Sequence, residues 1–211
     1  MWPTTPGAGA RASQSGLGAA DAKARLRARV LAARASDPHR ADADAARLPR
    51  LLQACAAHRT VACYVSVAPE PDTRALLAAL SDAGVRLLLP VLTGRRTPGW
   101  AWYTGPGTLV PGWRDIPQPD APALGPEALA ACTFVWVSAL QVSAEGYRLG
   151  TGGGWYDRAL RNAASDAVVG TLVNDPEVVA EVPVEPWDVP VNVVVTPTRT
   201  LLTAWPRLPR E

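Results

Sequence analysis

Residues 143–161 read S-A-E-G-Y-R-L-G-T-G-G-G-W-Y-D-R-A-L-R and contain five glycines. They follow an apolar run at residues 132–142, which predicts a buried strand, and lead into an amphipathic pattern at residues 156–161, which predicts a helix. Ordering each glycine in place of alanine costs roughly 0.5–1 kcal/mol, so this composition predicts close approach of the backbone to a ligand. Amides that precede a helix favour anions, and phosphate is therefore the expected ligand.

Two well-known phosphate loops do not fit this stretch. The P-loop requires Lys and Ser or Thr after its last glycine, whereas Trp155 and Tyr156 follow Gly154 here. The dinucleotide fingerprint matches Gly150 and Gly152 but meets Trp155 at its third glycine. From the residues alone, a glycine-rich turn without a ligand remains an alternative interpretation.

The composition predicts a soluble globular protein with one main domain. The chain has 211 residues, of which 48% are hydrophobic and 19% charged, and no apolar run approaches the roughly 18 residues of a membrane span. We expect a disordered tail at residues 1–20, a domain at 21–205 and a C-terminal tail at 206–211. The three cysteines lie far apart in apolar stretches, which indicates reduced core thiols and a cytoplasmic protein.

Helices and buried strands alternate along the chain. Helices are predicted at residues 21–34, 38–58, 73–82 and 174–181, and strands at 60–67, 85–92, 99–103, 132–142, 166–173 and 191–196. Asp21 and Asp72 are expected to cap helices, and Pro49 to break or kink one. Because strand–helix–strand units form right-handed parallel crossovers, the predicted fold is a Rossmann-like three-layer αβα domain with a mostly parallel sheet. Its ligands should collect at the C-terminal ends of the strands.

The first predicted helix is basic. Residues 21–34 carry a local charge of +4 within an overall charge of +2, leaving −2 for the remainder. Lys23, Arg27 and Arg34 fall within an arc of roughly 40° on this helix. The arc fits either a solvated face or a clamp for polyphosphate, because like charges one turn apart cost a few tenths of a kcal/mol without an anion. General nucleic-acid binding would require a broader basic face.

The pattern G-x-R-L-G-x-G-G-G-x-Y-D-R-x-L from Gly146 to Leu160 resembles the signature of the 5-formyltetrahydrofolate cyclo-ligase (5,10-methenyltetrahydrofolate synthetase) family. The resemblance covers roughly residues 21–200. It implies an ATP-dependent carbon–nitrogen cyclo-ligase that uses ATP and Mg²⁺ to convert 5-formyltetrahydrofolate to 5,10-methenyltetrahydrofolate, with release of ADP and phosphate. The hypothesised chemistry is phosphorylation of the formyl oxygen followed by ring closure.

The resemblance also implies a set of site residues. Lys23, Leu26 and Arg27 match a K-x-x-L-R element, and Lys23 and Arg148 are the expected catalytic charges. The implied ATP contacts are Lys23, Ala24, Arg25, Leu26, Arg27, Arg148, Leu149, Gly150, Thr151, Gly152, Gly153, Gly154, Trp155 and Tyr156. The implied substrate contacts are Val65, Glu70, Thr151, Gly152, Gly153, Gly154 and Trp155, and the implied magnesium ligands are Asp157 and Asp188. Without the resemblance, Glu70 would be interpreted as a solvated turn residue, and for Asp188 a simple turn residue is an equal alternative.

Several positions depart from the family pattern, namely Ser143, the pair Ser138–Ala139, and Asn192. These departures leave open a non-catalytic folate- or nucleotide-binding paralogue of the same fold. A nucleic-acid-associated protein that uses the basic helix is a second alternative. The main interpretation expects a cytoplasmic monomer whose partners are the small molecules reduced folate and ATP, with neither nucleic acid nor membrane.

Overall fold

The computed structural model of the chain describes the backbone of residues 9–92 and 97–205, and the side chains from residue 21 onward in those ranges. Its helices are α1 (Gly9–Ala35), α2 (Arg40–Cys55), α3 (Arg74–Asp82) and α4 (Trp155–Leu160). Its strands are β1 (Thr60–Ala62), β2 (Arg86–Pro90), β3 (Trp100–Tyr103), β4 (Leu109–Pro111), β5 (Pro117–Pro119), β6 (Phe134–Val137), β7 (Gln141–Ser143), β8 (Arg148–Leu149), β9 (Val168–Leu172), β10 (Val178–Val179), β11 (Val193–Val195) and β12 (Thr200–Leu202). Short 3₁₀ turns span Pro106–Thr108, Trp113–Asp115, Pro126–Ala131 and Asp175–Glu177.

The central sheet has seven strands in the order β12-β11-β9-β6-β1-β2-β3. Its five inner strands are parallel, with Val61 opposite Leu87 on one side and Phe134 on the other. The edge strands β3 and β12 run antiparallel to their neighbours. Parallel inner strands are buried on both faces of a sheet. The Val- and Leu-rich sequences of these strands provide apolar side chains for both faces.

Alternate residues of the strands pack against opposite faces of the sheet. Phe134 and Trp136 belong to the core cluster that contains Leu51 of α2 and Leu76 of α3. Val135 and Val137 belong to the second cluster, with Leu160 of α4. The predicted three-layer fold with a mostly parallel sheet is confirmed. No helix within the described ranges has both the length and the apolar character needed to cross a bilayer.

The apolar run at residues 132–142 forms two strands, and the prediction of one strand is wrong. β6 lies in the centre of the large sheet, whereas β7 belongs to a small sheet of order β10-β7-β8. The chain turns between them at residues 138–140, where the carbonyl oxygen of Ala139 accepts a hydrogen bond from Arg34. Apolar content cannot separate the strands, because both are buried.

Several predicted boundaries also differ. α1 begins at Gly9, so Asp21 lies inside the helix and pairs with Arg25 at 2.9 Å instead of capping. α2 continues through Pro49 to Cys55, so the expected break does not occur. The helix predicted at residues 174–181 is a single 3₁₀ turn followed by β10. Residues 1–8 of the predicted N-terminal tail and the predicted tail at 206–211 lie outside the described residues.

We expect Gly170→Ala to destabilise the protein. A Cβ atom at this buried position on β9 would lie 2.7 Å from Trp136 and 2.9 Å from Phe134, and overpacking a core costs typically 1–3 kcal/mol. The control is Gly107→Ala, where a Cβ atom would meet nothing within 4 Å. Urea unfolding should show the loss for Gly170→Ala alone, and equal stabilities would contradict the packing described for β9.

Candidate active site

A cleft of about 650 Å³ opens at the C-terminal ends of the parallel strands. Val65 follows β1, Leu92 follows β2 and Ser138 follows β6, and all three line it. The predicted site residues that line this cleft are Lys23, Arg27, Val65, Glu70, Asp157, Asp188 and residues 148–156. Ala24, Arg25 and Leu26 do not line it, and the first two are exposed. The cleft therefore combines the glycine-rich loop with side chains from distant parts of the sequence.

The glycine-rich loop connects β8 to α4 and depends on backbone conformations that favour glycine. Gly152 has φ 104°, and Gly154, at the N-cap of α4, has φ 58°. A Cβ atom on Gly152 would lie 3.2 Å from the guanidinium carbon of Arg27. A Cβ atom on Gly153 would meet no atom within 4 Å. The backbone at Gly153 therefore faces open space on the cleft side.

An ion pair between Arg148 and Asp157 connects the two ends of this loop. Arg148 Nη2 lies 2.6 Å from Asp157 Oδ1, and the two side chains are 4% and 17% exposed. Val189 joins them, because its carbonyl accepts a bond from Arg148 and its N–H donates to Asp157 Oδ1 at 3.3 Å. The residue at the helix N-cap is Gly154, so Asp157 holds Arg148 and Val189 instead of capping its own helix.

Two cationic side chains of helix α1, Lys23 and Arg27, line the cleft together with this loop. Arg27 Nε donates to the carbonyl oxygen of Gly150 at 2.9 Å. Lys23 Nζ lies 3.1 Å from Glu185 Oε1, across the cleft. Arg34, the third member of the predicted basic arc, lies outside the cleft and is buried against Glu177. Two of the three arc residues are thus placed where they could contact phosphate.

The cleft is also lined by three ionisable groups with raised pKa values, Tyr64, Glu70 and Tyr156. Burial raises the pKa of Glu70, partly offset by the Val67 N–H that donates to its Oε2 at 3.0 Å and by the charge of Arg34. Burial also raises the pKa of Tyr64 and of Tyr156 well above the usual tyrosine value. Their ring centroids are 6.4 Å apart in an edge-to-face arrangement. These phenols are therefore neutral near physiological pH.

The model of the 5-formyltetrahydrofolate cyclo-ligase family matches residues 19–197. The chain belongs to this family. It is 42% identical over 149 residues to the 5-formyltetrahydrofolate cyclo-ligase of Mycolicibacterium smegmatis, a match that covers 68% of this chain and 76% of that protein. The cyclo-ligase of Escherichia coli strain K12 is 33% identical over 144 residues, covering 66% and 79% of the two chains. The family predicted from the glycine-rich signature is confirmed, and the chain is an enzyme.

Solved structures show the same cyclo-ligase fold. The NMR structure of Aquifex aeolicus 5,10-methenyltetrahydrofolate synthetase superposes with a TM-score of 0.71 at 23% identity, covering 90% of this chain and 96% of that one. The Mycoplasma pneumoniae 5,10-methenyltetrahydrofolate synthetase gives a TM-score of 0.67 at 16% identity, covering 83% and 98%. At these identities the comparison supports the fold alone.

The carboxylates of this cyclo-ligase cleft suit a metal held jointly with phosphate. The described residues contain no group of three or more His, Cys, Asp or Glu side chains able to hold a metal. Asp157 and Asp188 both line the cleft, and Asp188 Oδ2 accepts the Glu185 N–H at 2.8 Å. Mg²⁺ usually binds through one or two carboxylates plus substrate phosphates. Two carboxylates beside a phosphate loop therefore fit magnesium.

The sequence interpretation missed several residues of the cleft. Trp113 and Arg114 line it from the proline-rich segment, with the guanidinium 4.4 Å above the indole ring. Glu185 and Trp187 line it from the loop before β11, and Trp187 is 57% exposed. The available signal for these residues was the presence of tryptophan in polar, proline-rich loops. Trp113 and Trp187 are exposed, so packing of the core does not account for them.

The raised pKa of Glu70 should make the stability of the cyclo-ligase pH-dependent. A carboxyl whose pKa is higher in the folded state contributes stability that is fully present below its unfolded pKa of about 4.3. That contribution is lost as the pH rises through the folded pKa. Replacing Glu70 with Gln removes this pH-dependent loss of stability, so the variant should gain stability relative to wild type over the pH range that begins at about 4.3 and ends at the folded pKa.

Urea unfolding of both proteins across this range measures the effect. The exposed Glu181→Gln provides the control and should follow wild type at every pH. A constant stability difference between Glu70→Gln and wild type would contradict the raised pKa.

Proposed function

We propose that the enzyme uses ATP and Mg²⁺ to convert 5-formyltetrahydrofolate to 5,10-methenyltetrahydrofolate, releasing ADP and phosphate. The observation that carries the proposal is one cleft lined by a glycine-rich loop, by the cations Lys23 and Arg27, and by the carboxylates Asp157 and Asp188. A loop of exposed amides with flanking cations suits a triphosphate. Nearby carboxylates would be repulsive to it unless a divalent cation lay between them.

Phosphoryl transfer in this cleft would depend on positioning and charge neutralisation. The formyl oxygen of the folate attacks the γ-phosphorus, and the bond from that phosphorus to ADP breaks. The neighbouring folate nitrogen then attacks the activated carbon and loses its proton, and the carbon–oxygen bond breaks to release phosphate, which leaves with that proton as hydrogen phosphate. Lys23, Arg27, Arg148 and the amides of residues 152–154 would stabilise the negative charge of the transferring group.

The remaining wall would hold the folate. Val65 and Glu70 line the cleft beside the loop, and Trp155 packs edge-to-face on Trp100 and on Tyr156. This packing would hold the formyl group against residues 151–154. The described residues that line the cleft include neither histidine nor cysteine. That composition suits a reaction in which the substrate supplies both nucleophiles.

Asp157 and Asp188 would hold the Mg²⁺ ion, which supplies charge neutralisation to the triphosphate when bound. Both described bonds to Asp157 end on Oδ1. The Glu185 N–H fixes Asp188 through its Oδ2. The two carboxylates are therefore oriented by the fold itself, which lowers the cost of assembling a metal site.

The departures from the family pattern affect the cleft at one position. Ser138 lines it, whereas Ser143 is buried. Asn192 accepts the Val169 N–H at 2.8 Å and donates to the Trp205 carbonyl at 2.7 Å, which is a structural role. No contact of these residues favours a non-catalytic paralogue. On the basic helix, Lys23 and Arg25 pair with Glu185 and Asp21, which leaves a narrow surface for nucleic acid.

We also propose that the enzyme works as a cytoplasmic monomer on small molecules. Its three cysteines are buried and free. Burial raises the pKa of Cys55 to about 11 and that of Cys132 to about 12, so both remain unreactive thiols. Unreactive, unpaired thiols suit a reducing compartment.

One assay tests the proposed reaction. The enzyme is mixed with 5-formyltetrahydrofolate, ATP and Mg²⁺, and the absorbance of the methenyl product is followed. Turnover that requires both ATP and the metal supports the proposal. Tight folate binding without turnover would favour the non-catalytic paralogue.

Gly153→Val should abolish turnover while the protein remains folded. A Cβ atom at this position would meet no described atom within 4 Å, and a branched side chain there would block phosphate from the loop amides. Gly107→Val is the matched control, because its Cβ is equally unobstructed and the residue lies outside the cleft. Circular dichroism and the absorbance assay measure both properties. A Gly153→Val enzyme with normal turnover would refute the phosphate contact.

Lys23→Met should raise the KM for ATP far more than the KM for folate. A charged hydrogen bond contributes about 1.5–3 kcal/mol, which corresponds to roughly a tenfold to hundredfold weaker apparent affinity. The melting temperature should change little, because a partly exposed ion pair contributes about 0–1 kcal/mol. Arg29→Met, exposed on the same helix, is the control. An equal rise in both KM values would argue that Lys23 has a structural role.

A further inference from the structure

Helix α1 carries Lys23 and Arg27 and contributes one buried apolar side chain, Val30, from its described residues. None of its described side chains, from residue 21 to residue 35, belongs to either core cluster. Val30 and Arg34 are the residues of this stretch that are buried. The position of the helix therefore depends heavily on polar contacts. Arg34 makes the most extensive of these.

Arg34 is fixed by three hydrogen bonds in a buried site. Its Nε and Nη2 donate to the two carboxylate oxygens of Glu177, at 2.7 and 2.8 Å. Its Nη2 also donates to the carbonyl oxygen of Ala139 at 2.8 Å. The side chains of Arg34 and Glu177 are 2% and 9% exposed. A bidentate arginine–carboxylate pair fixes orientation as well as distance.

Glu177 is itself held rigidly. Its carboxylate accepts the N–H of Asn174 at 2.7 Å and the side-chain amide of Asn174 at 3.3 Å. Asn174 Oδ1 in turn accepts a bond from Arg47 of α2 at 2.6 Å. This network connects α1 to a turn that directly follows β9 of the central sheet. Arg34 is thus attached to the rigid part of the fold.

Arg34, Arg27 and Lys23 lie on one face of α1. The spacings of 7 and 11 residues from Arg34 correspond to about two and three helical turns. A helix anchored at Arg34 therefore keeps the other two side chains directed to the same side. Loosening that anchor would let the helix rotate or shift, and both cations would leave the glycine-rich loop together.

We propose that Arg34 is a positioning residue for the nucleotide, acting with Glu177 to hold Lys23 and Arg27 against the loop at residues 150–154. This inference rests on the proposed function, in which those two cations bind the triphosphate. Arg34 itself lies outside the cleft. Its effect on the nucleotide is transmitted through the position of the helix, whereas its charge acts directly on the pKa of Glu70.

The test is Arg34→Met, compared with Arg47→Met. Arg47 is also fully buried, but its described hydrogen bonds go to Asp44 and to Asn174 Oδ1, so the two bonds from Asn174 to Glu177 do not pass through it. It lies on α2, which contributes no residue to the cleft. We expect Arg34→Met to raise the KM for ATP about tenfold or more while the KM for folate changes less than about threefold. Arg47→Met should lower the melting temperature without changing the KM for ATP.

A second variant separates anchoring from folding. Removing one member of a buried ion pair leaves an uncompensated charge, whereas removing both partners is much better tolerated. Arg34→Met/Glu177→Met should therefore recover stability relative to Arg34→Met and keep the raised KM for ATP. Hydrogen exchange without nucleotide provides a readout independent of activity. Amides of residues 23–33 should exchange faster in both Arg34 variants and at the wild-type rate in Arg47→Met.

Unchanged exchange in α1 together with an unchanged KM for ATP in the double variant would overturn the proposal. Equal effects in Arg47→Met would overturn it as well, because the role would then be general stability. A different result would show that the proposed function itself is wrong. In that case Arg27→Met, which removes a proposed direct contact with ATP, would leave the KM for ATP unchanged. Hydrogen exchange would still decide whether Arg34 anchors the helix.

Discussion

The Arg148–Asp157 ion pair closes the loop that the rest of the cleft faces. It joins the residue that precedes the glycines to the first turn of the helix that follows them, at 2.6 Å. Ordering a glycine-rich segment costs more conformational entropy than ordering any other. Holding both ends of the loop offsets part of that cost before a ligand arrives. A loop ordered in advance can devote more of its contacts to binding.

The layers of the fold contribute differently to the cleft. The sheet and the helices that cover it form the rigid floor of the cleft. Two apolar clusters, one on each face of the sheet, pack these elements together. Helix α1 approaches this floor from outside and is placed by charged contacts, with Arg27 on the loop carbonyl of Gly150 and Lys23 on Glu185. Charged contacts near a surface respond to added anions, whereas packed apolar contacts do not. The part of the site that is adjustable is therefore the cationic part.

The sequence predicted the architecture because the parallel strands are buried on both faces and read as continuous apolar runs. The same property hid the break between β6 and β7, since Ala139 and Leu140 continue the apolar run and only Ser138 interrupts it before Gln141. The strand at Val193–Val195 was predicted, but the short antiparallel β12 beside it was missed, because three exposed or half-exposed residues carry no periodic signal.

Within the cleft, local patterns found the loop and the basic face of α1. Pairs that are distant in sequence could not be found in this way. Arg34 and Glu177 are 143 residues apart, and Lys23 and Glu185 are 162 apart. The basic arc therefore grouped Arg34 with the phosphate contacts, although burial gives it a different partner. Periodicity gives the direction of a side chain on its helix, and only the packing of the whole chain decides what lies there.

The charges of the cleft are balanced. Four lining residues are basic, namely Lys23, Arg27, Arg114 and Arg148, and four are acidic, namely Glu70, Asp157, Glu185 and Asp188. Two of the bases are paired with two of the acids, which limits repulsion among the cations when no phosphate is present.

In the proposed reaction one of these pairs would exchange partners. Lys23 would turn from Glu185 to the phosphates, whereas the Arg148–Asp157 pair would stay in place because both described bonds to Asp157 end on Oδ1. Asp157 and Asp188 would share the divalent ion. Binding of one ligand alone would leave some of these charges without a partner. A triphosphate without the metal would lie beside the carboxylates, and the metal without a triphosphate would lie beside the cations. An unpaired charge in a partly buried site is costly. In the proposed reaction, a balanced cleft of this kind would therefore favour binding of metal and nucleotide together over binding of either one.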